Sequence, residues 1–226
     1  MYRIDALRVL ADLTEALPVV VTCAASSREL AAVADRPNHL YLLDSMGLAV
    51  SVATGIALSL TDTAVPKVVA IEGDGSLLMN PNVLPTGGFL RPPNLVTVLL
   101  DNAVYGATAN LPTYADTVDL GVLAEASGWT VHTASDELEL RAAILTALEQ
   151  TGPVLVHVHL EVGNAADIPK LLVNPVVLGH RFQKWVAARV AAGSGEIAAG
   201  PRDGSAAQQD IAGAQEAVPA GREAAR

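Results

Sequence analysis

Hydrophobic residues along this chain occur in two alternating patterns. Leu7, Leu10 and Leu13 have the spacing of one face of a helix, which Pro18 ends, and the valines at 19–21 form a short apolar run typical of a strand. The same alternation continues as far as residue 190. It predicts helices at residues 5–17, 28–34, 47–60, 77–90, 119–127, 135–150 and 176–190, and strands at residues 19–21, 39–43, 65–71, 95–100, 129–132 and 154–158.

The predicted strands are apolar at nearly every position, as expected for strands whose two faces are both covered. Together with the regular alternation of strands and helices, this predicts an α/β domain over residues 1–190. Its sheet should be open and mainly parallel, with helices on both faces. Ligands of such sheets bind at the carboxyl ends of the strands. Residues 191–226 are rich in Ala, Gly and Gln, and we expect a disordered tail there.

Helix starts are predicted from polar residues that can accept backbone hydrogen bonds. Ser26 and Ser27 precede the helix at 28–34, and Ser135 is the first residue of the helix at 135–150. The helix at 77–90 should begin irregularly because Asn80 and Pro81 interrupt it.

Composition narrows the functional classes. The chain has 226 residues, 51% of them hydrophobic, which suits a packed domain, yet no long uninterrupted apolar run predicts a membrane span. The formal charge of −10 lacks the basic footprint of a nucleic-acid-binding protein. The amino-terminal residues lack a signal pattern, so we expect a cytoplasmic protein. The single cysteine, Cys23, is expected to fill a small space in the core.

A glycine-rich segment follows the strand at 65–71. Gly73 and Gly75 allow the backbone to approach a ligand closely, and the amides of Gly75 and Ser76 can face phosphate oxygens. The positive end of the helix that follows would point in the same direction. This segment therefore predicts a phosphate-binding turn.

Oxygen ligands for a metal lie at the ends of the same strand and the next one. Asp74 offers a carboxylate, Asn102 a side-chain carbonyl and Val104 a backbone carbonyl. Magnesium prefers such hard oxygen ligands, so a magnesium diphosphate suits both segments. Taken alone, Asp74 between glycines is also compatible with an ordinary turn.

This arrangement resembles the signature of thiamine-diphosphate-dependent enzymes, a Gly-Asp-Gly motif followed some two dozen residues later by Asn. In that family the Asp, the Asn and a carbonyl two residues further on hold the metal. The resemblance implies Asp74, Asn102 and Val104 as ligands of Mg²⁺. Asp101 departs from the pattern, since many members carry a second Asn at that position.

A second segment strengthens the resemblance. Asp44, Ser45 and Met46 are similar to the loop that cradles the aminopyrimidine ring of thiamine diphosphate in this family. A bulky apolar residue there, here Met46, supports the bent conformation of the cofactor. The backbone at Asp44 and Met46 would bond the edge of the pyrimidine. Seen alone, a methionine such as Met46 is more often a core residue.

A third similar stretch runs from residue 101 to residue 113 and adds Tyr105 and Gly106 to the expected cofactor site. With it, the resemblance spans roughly residues 28–190. It is nearest to sulfopyruvate and phosphonopyruvate decarboxylases, which implies a 2-oxo-acid decarboxylase of the thiamin-diphosphate-binding fold. Tyr105 is also compatible with a structural role in its loop.

The resemblance also implies what this chain lacks. Family members activate the pyrimidine with a glutamate from a separate domain, whereas Glu72 would lie at the diphosphate end. We therefore expect no catalytic residue in this chain. We expect instead a partner α subunit that supplies the glutamate, in an α2β2 or larger assembly, with a small 2-oxo acid as substrate.

Three other functions remain open. The chain could belong to a carboligase that forms a C–C bond, or to an oxidoreductase component, although one cysteine cannot ligate an iron–sulfur cluster. It could also be a non-catalytic scaffold that kept the fold. His157 and His159 alternate on one strand face and suggest a metal pair, but the sequence indicates no third ligand, so a polar strand face is favoured.

Overall fold

The computed structural model describes residues 1–197, and a six-stranded sheet lies at its centre. Its strands are β1 (Val19–Val21), β2 (His39–Tyr41), β3 (Val68–Gly73), β4 (Leu95–Asp101), β7 (Thr130–Ala134) and β8 (Val154–His159). A separate antiparallel hairpin joins β5 (Val104–Tyr105) to β6 (Leu111–Pro112). All pairings within the six-stranded sheet are parallel, in the order β2-β1-β3-β4-β8-β7.

Helices cover both faces of the sheet. They are α1 (Arg3–Leu13), α2 (Ala25–Ala34), α3 (Ala49–Ser59), α4 (Asp74–Met79), α5 (Val83–Leu90), α6 (Leu120–Ala126), α7 (Glu137–Glu149) and α8 (Pro175–Ile197). One buried cluster contains residues of α1, α2 and α7, and the other contains residues of α3 to α6. Alternate residues of each central strand enter opposite clusters, so strands apolar at every position are the expected result. The predicted fold class is confirmed.

The predicted helix at 77–90 is two helices in the structure. Asn80 leaves the helical conformation with φ −146° and ψ 66°, and its side-chain amide donates to the carbonyl of Gly47 at 2.9 Å. Pro81 next to it cannot donate a helical hydrogen bond. The first of the two helices begins at Asp74, earlier than predicted.

Two predicted helix caps are wrong. Helix α2 already starts at Ala25, and Ala24 before it has a positive φ of 64°. Ser27 therefore lies inside the helix, where its hydroxyl donates to the carbonyl of Thr22 at 2.5 Å. Helix α7 is capped by Asp136, rather than Ser135, through the amide of Glu139.

The carboxyl-terminal helix extends beyond its predicted end. Helix α8 continues to Ile197, and its Gly193 packs closely against Ala64, where an added Cβ would lie 1.9 Å from the Ala64 Cβ. The remainder of the tail predicted at 191–226 lies outside the described residues. Within residues 1–197, none of the helices combines the length and the apolar character that crossing a bilayer requires.

The strand order creates a crevice at one edge of the sheet. Strand β1 pairs with β2 on one side and with β3 on the other, so the chain leaves neighbouring strands in opposite directions. Such a switch point opens a ligand crevice at the carboxyl ends of the strands. The segments after β1, β3 and β4 meet there.

Candidate functional site

A cleft with a volume of about 140 Å³ lies at this switch point. All but two of the residues predicted for the cofactor site line it. Asp44 and Ser45 are exposed and line a neighbouring groove instead. The predicted residues in the cleft are Met46, Gly73, Asp74, Gly75, Ser76, Asn102, Val104, Tyr105 and Gly106.

Asp74 is the buried carboxylate of the cleft, with a relative exposure of 3%. Its Oδ2 accepts a hydrogen bond from the Thr113 hydroxyl at 2.7 Å. Burial raises the pKa of Asp74 to about 6, and the charge of Asp101 adds to the rise. The Thr113 hydroxyl and the amides of Gly75 and Asn102 oppose it. Only neutral hydrogen-bond donors oppose the effect of burial on this carboxylate, so a bound cation would stabilise its charged form.

Asn102 sits in a sharp turn after β4. Ala103 next to it has a positive φ of 57°, and its amide donates to the Asp101 carboxylate at 3.0 Å. The carbonyl of Ala103 accepts from the Thr113 amide at 2.9 Å. These bonds hold the turn, so that Asn102 and Val104 line the same cleft as Asp74.

Gly75 is required by its close contact with an aromatic ring. A Cβ at this position would lie 2.5 Å from Cδ1 and Cε1 of Tyr105. Tyr105 belongs to the hairpin β5–β6, which no apolar pattern predicted. The first turn of α4 and the hairpin are therefore in direct contact across the cleft.

Gly47 connects the Met46 loop to the Gly-Asp-Gly segment. Its amide donates to the Ser76 hydroxyl at 2.7 Å, and its carbonyl accepts from Asn80 at 2.9 Å. The Ser76 hydroxyl also shares a 2.9 Å hydrogen bond with Thr22 at the end of β1. Gly47 has a φ of 74°, which favours glycine. Three strand ends are thus tied together at Ser76.

The sequence prediction missed the segment after β1. Thr22, Cys23, Ala24, Ala25 and Ser26 all line the cleft. Cys23 is buried, as predicted, and borders the cleft as well. Burial, followed by the charge of Glu72, raises the pKa of the Cys23 thiol. The available signal was the position of this segment, a turn of small residues between a buried strand and a helix.

Arg3 also lines the cleft and was not predicted. Its guanidinium forms two hydrogen bonds with the Glu29 carboxylate, at 3.0 and 2.8 Å, and a third with Asn164 at 2.6 Å. Asn164 in turn donates to the carbonyl of Gly106 at 3.0 Å. The ion pair between Arg3 and Glu29 therefore connects the hairpin side of the cleft, through Asn164, to helix α2.

Glu72 is fully buried beside the Gly-Asp-Gly segment. Burial raises its pKa, and the Ser76 and Thr22 hydroxyls and the Gly73 amide partly oppose the rise. Its Oε1 accepts from the Gly73 amide at 3.2 Å. This carboxyl therefore supports the turn from within the protein.

His157 and His159 lie at the end of β8 on one face, as predicted, with ring centroids 4.3 Å apart. The expectation that they lack a third ligand is wrong. His157 Nε2 lies 2.8 Å from Asp101 Oδ2, and the three residues form one cluster. The sequence did not reveal it because Asp101 lies 56 residues away on the neighbouring strand.

Known proteins share this fold and these segments. The family model described as thiamine pyrophosphate enzyme, C-terminal TPP binding domain, matches residues 22–158. The benzoylformate decarboxylase structure from Polynucleobacter necessarius superimposes with a TM-score of 0.62 and 22% identity, over 71% of this chain and 33% of that chain. At this level of identity, the structure supports the fold alone.

Relatives found by sequence share more identical residues with this chain than that structure does. The chain is 40% identical to the sulfopyruvate decarboxylase subunit beta of Methanothermobacter thermautotrophicus, over 81% of this chain and 95% of that subunit. It is also 40% identical to the phosphonopyruvate decarboxylase of Streptomyces viridochromogenes, over 81% of this chain and 46% of that protein, so it spans about half of that relative's length. The chain therefore belongs to the thiamine pyrophosphate enzyme family, through its C-terminal TPP-binding domain, and to the group that includes the beta subunits of sulfopyruvate decarboxylase.

Proposed function

We propose that this chain is the diphosphate-binding β subunit of a two-subunit, thiamine-diphosphate-dependent 2-oxo-acid decarboxylase. Its substrate would resemble sulfopyruvate or phosphonopyruvate, the substrates in the names of its relatives. The observation that carries the proposal is the meeting of Asp74 and Asn102 in one cleft at neighbouring strand ends. Carboligation would differ only in the product formed after carbon dioxide leaves.

The residues present fit a magnesium ion. Asp74 supplies a buried carboxylate whose pKa is raised by desolvation, a condition that a bound cation relieves. The side-chain carbonyl of Asn102 and the backbone carbonyl of Val104 would complete a set of hard oxygen ligands. The hydrogen bond from Thr113 to Asp74 would hold the carboxylate in one orientation.

The same cleft fits a diphosphate. Gly75 and Ser76 occupy the first turn of α4, where backbone amides lack helical partners. Across the cleft, Ala25 and Ser26 occupy the first turn of α2 in the same manner. Both helix starts would present amide hydrogens to phosphate oxygens.

This chain's own residues would position the cofactor. Thiamine diphosphate, when bound, supplies the group that accepts the electron pair released with carbon dioxide. Met46, half-buried at the cleft, would support its bent shape, and Tyr105 and Gly106 would close over the diphosphate side. Asp44 and Ser45 would reach the pyrimidine only through their backbone, because their side chains lie in the neighbouring groove.

A partner α subunit would complete the active site. The cleft volume of about 140 Å³ is smaller than the roughly 300 Å³ at the lower end of small-molecule pockets. The match to about half of a longer phosphonopyruvate decarboxylase supports a second chain that carries the remaining half. That chain would bring the activating glutamate, in an α2β2 or larger assembly.

The test is to co-express this chain with its candidate α subunit and to measure carbon dioxide release from sulfopyruvate, phosphonopyruvate and pyruvate. We expect release only from the pair, dependent on magnesium and thiamine diphosphate. Asp74→Asn should abolish it, whereas Asp62→Asn, at an exposed position, should not. Activity of this chain alone would contradict the shared site, and acyloin products would favour a carboligase.

A further inference from the structure

A second group of potential metal ligands lies outside the cofactor cleft. Asp101, His157 and His159 each offer one ligand atom, and these atoms all lie within 4.8 Å of one another. None of the three residues lines the cleft that contains Asp74. The proposed function leaves this cluster without a role.

The parallel sheet places the three side chains together. Asp101 is the register partner of His159, and His157 is the partner of Leu99. Partners in neighbouring parallel strands point to the same face, and so do residues two apart in one strand. Leu99 and Leu155 lie on this face of the sheet and pack in the same buried cluster as residues of α6. Asp101 and both histidines therefore lie on the same face, at the carboxyl ends of their strands.

We propose that Asp101, His157 and His159 bind a first-row transition metal dication of the zinc class. Two imidazole nitrogens and one carboxylate suit such an ion, whereas magnesium prefers oxygen ligands alone. Zinc bond lengths of about 2.0–2.1 Å place neighbouring ligand atoms about 3.3 Å apart in a tetrahedron. His157 Nε2 and Asp101 Oδ2, at 2.8 Å, are close to that separation.

The two buried ligands are held in place, while the third can move. Asp101 keeps its second oxygen bound to the amide of Ala103 at 3.0 Å, which fixes the carboxylate while leaving Oδ2 toward the cluster. His157 is buried, but His159 is exposed. Rotation of the exposed ring would close the coordination sphere, and the open side would admit the ion from solvent.

The surrounding charge also favours a cation. An added Cβ at Gly121 would lie 3.1 Å from His157 Nδ1 and 3.2 Å from Asp119 Oδ1, so the Asp119 carboxylate lies near the side of the His157 ring that carries Nδ1. A carboxylate in this region adds negative charge beside the cluster, which favours a bound cation. Any larger residue than glycine at 121 would press on His157.

The proposal is tested by titrating Co²⁺ into the full, tag-free chain and following visible absorption, with Zn²⁺ as competitor. We expect one site with nitrogen ligation, displaced by Zn²⁺ but not by millimolar Mg²⁺. His159→Ala should weaken Co²⁺ binding by about tenfold or more. His180→Ala, also at an exposed histidine, should leave it unchanged.

Two outcomes would overturn the site. One is equal Co²⁺ affinity in wild type and His159→Ala, both with native circular dichroism. The other is a Co²⁺ spectrum that Mg²⁺ removes completely, which would place the ion at Asp74. Asp74→Asn separates this test from the proposed function, because that variant should keep the Co²⁺ spectrum while losing decarboxylation.

Discussion

Replacing Asp74 with asparagine should make the cofactor-free chain more stable. The folded chain holds the pKa of this carboxyl at about 6, above its ordinary value of 3.8. The folded state therefore binds the proton more tightly than the unfolded state, and ionisation costs stability as the pH rises through this window. The full cost above pH 6 corresponds to about 3 kcal/mol for a shift of about two pKa units.

Urea unfolding of both chains in metal-free buffer measures this cost. Asp74→Asn keeps an oxygen that accepts from Thr113, so at pH 8 we expect a gain of up to about 3 kcal/mol over wild type. At pH 5 the gain should fall to about half, because the wild-type carboxyl is then mostly protonated. Asp62→Asn serves as the exposed control.

Magnesium thiamine diphosphate should reverse the order. A ligand present at 1,000 times its Kd stabilises the folded state by about 4.1 kcal/mol, which exceeds the gain expected for Asp74→Asn, and only wild type should show this stabilisation. An Asp74→Asn variant no more stable than wild type at pH 8 without metal would show that burial of this carboxylate is compensated.

Three further substitutions test the surroundings of the site. Gly75→Ala should weaken thiamine diphosphate binding by about tenfold or more, because the new Cβ would lie 2.5 Å from the Tyr105 ring. Gly55→Ala is the control, since a Cβ there has nothing within 4 Å. Calorimetric titration of this chain, reconstituted with its α subunit, compares the two variants. Ser76→Ala should lower the free energy of unfolding by about 1–3 kcal/mol, because the Gly47 amide loses its hydrogen-bond acceptor. Ser59→Ala is the control and removes only an exposed local hydrogen bond. Equal losses in denaturant unfolding would contradict the role given to Ser76. Burial raises the pKa of Glu72 above its ordinary value of 4.5, so the folded chain favours its protonated form. As the pH rises above 4.5, stability should therefore fall less in Glu72→Gln than in wild type. Tm measured at intervals from pH 4.5 upward checks this, and parallel pH profiles would argue against it.

Much of the fold followed from the sequence because the central strands are buried on both faces. A strand such as β4 is apolar at most positions, so its place and type are visible without any knowledge of its neighbours. The motif residues Asp74 and Asn102 could be predicted equally well from the sequence, since each directly follows such a strand. Parallel strands then bring their carboxyl ends to one edge of the sheet.

Other parts of the site depend on contacts that a linear pattern cannot show. Arg3 meets Asn164 across 161 positions, and Asp101 meets His157 across 56. The hairpin β5–β6 has two residues in each strand and exposes Leu111, so it carries no periodicity. Helix α2 starts directly after Ala24, whose positive φ of 64° is unusual for alanine and cannot be predicted from the residue type.

The double attachment of Gly47 has a consequence for protein engineering. The Ser76 hydroxyl and the Asn80 carboxamide bind the backbone amide and carbonyl of Gly47. The segments at 44–47 and 73–80 therefore depend on each other's sequence and should be exchanged together. A chimera that exchanges residues 44–47 alone with a distant homologue would separate partners that fit only each other. Successful recombination should transfer residues 73–80 in the same step, and libraries with a crossover point between the two segments should be depleted in folded members.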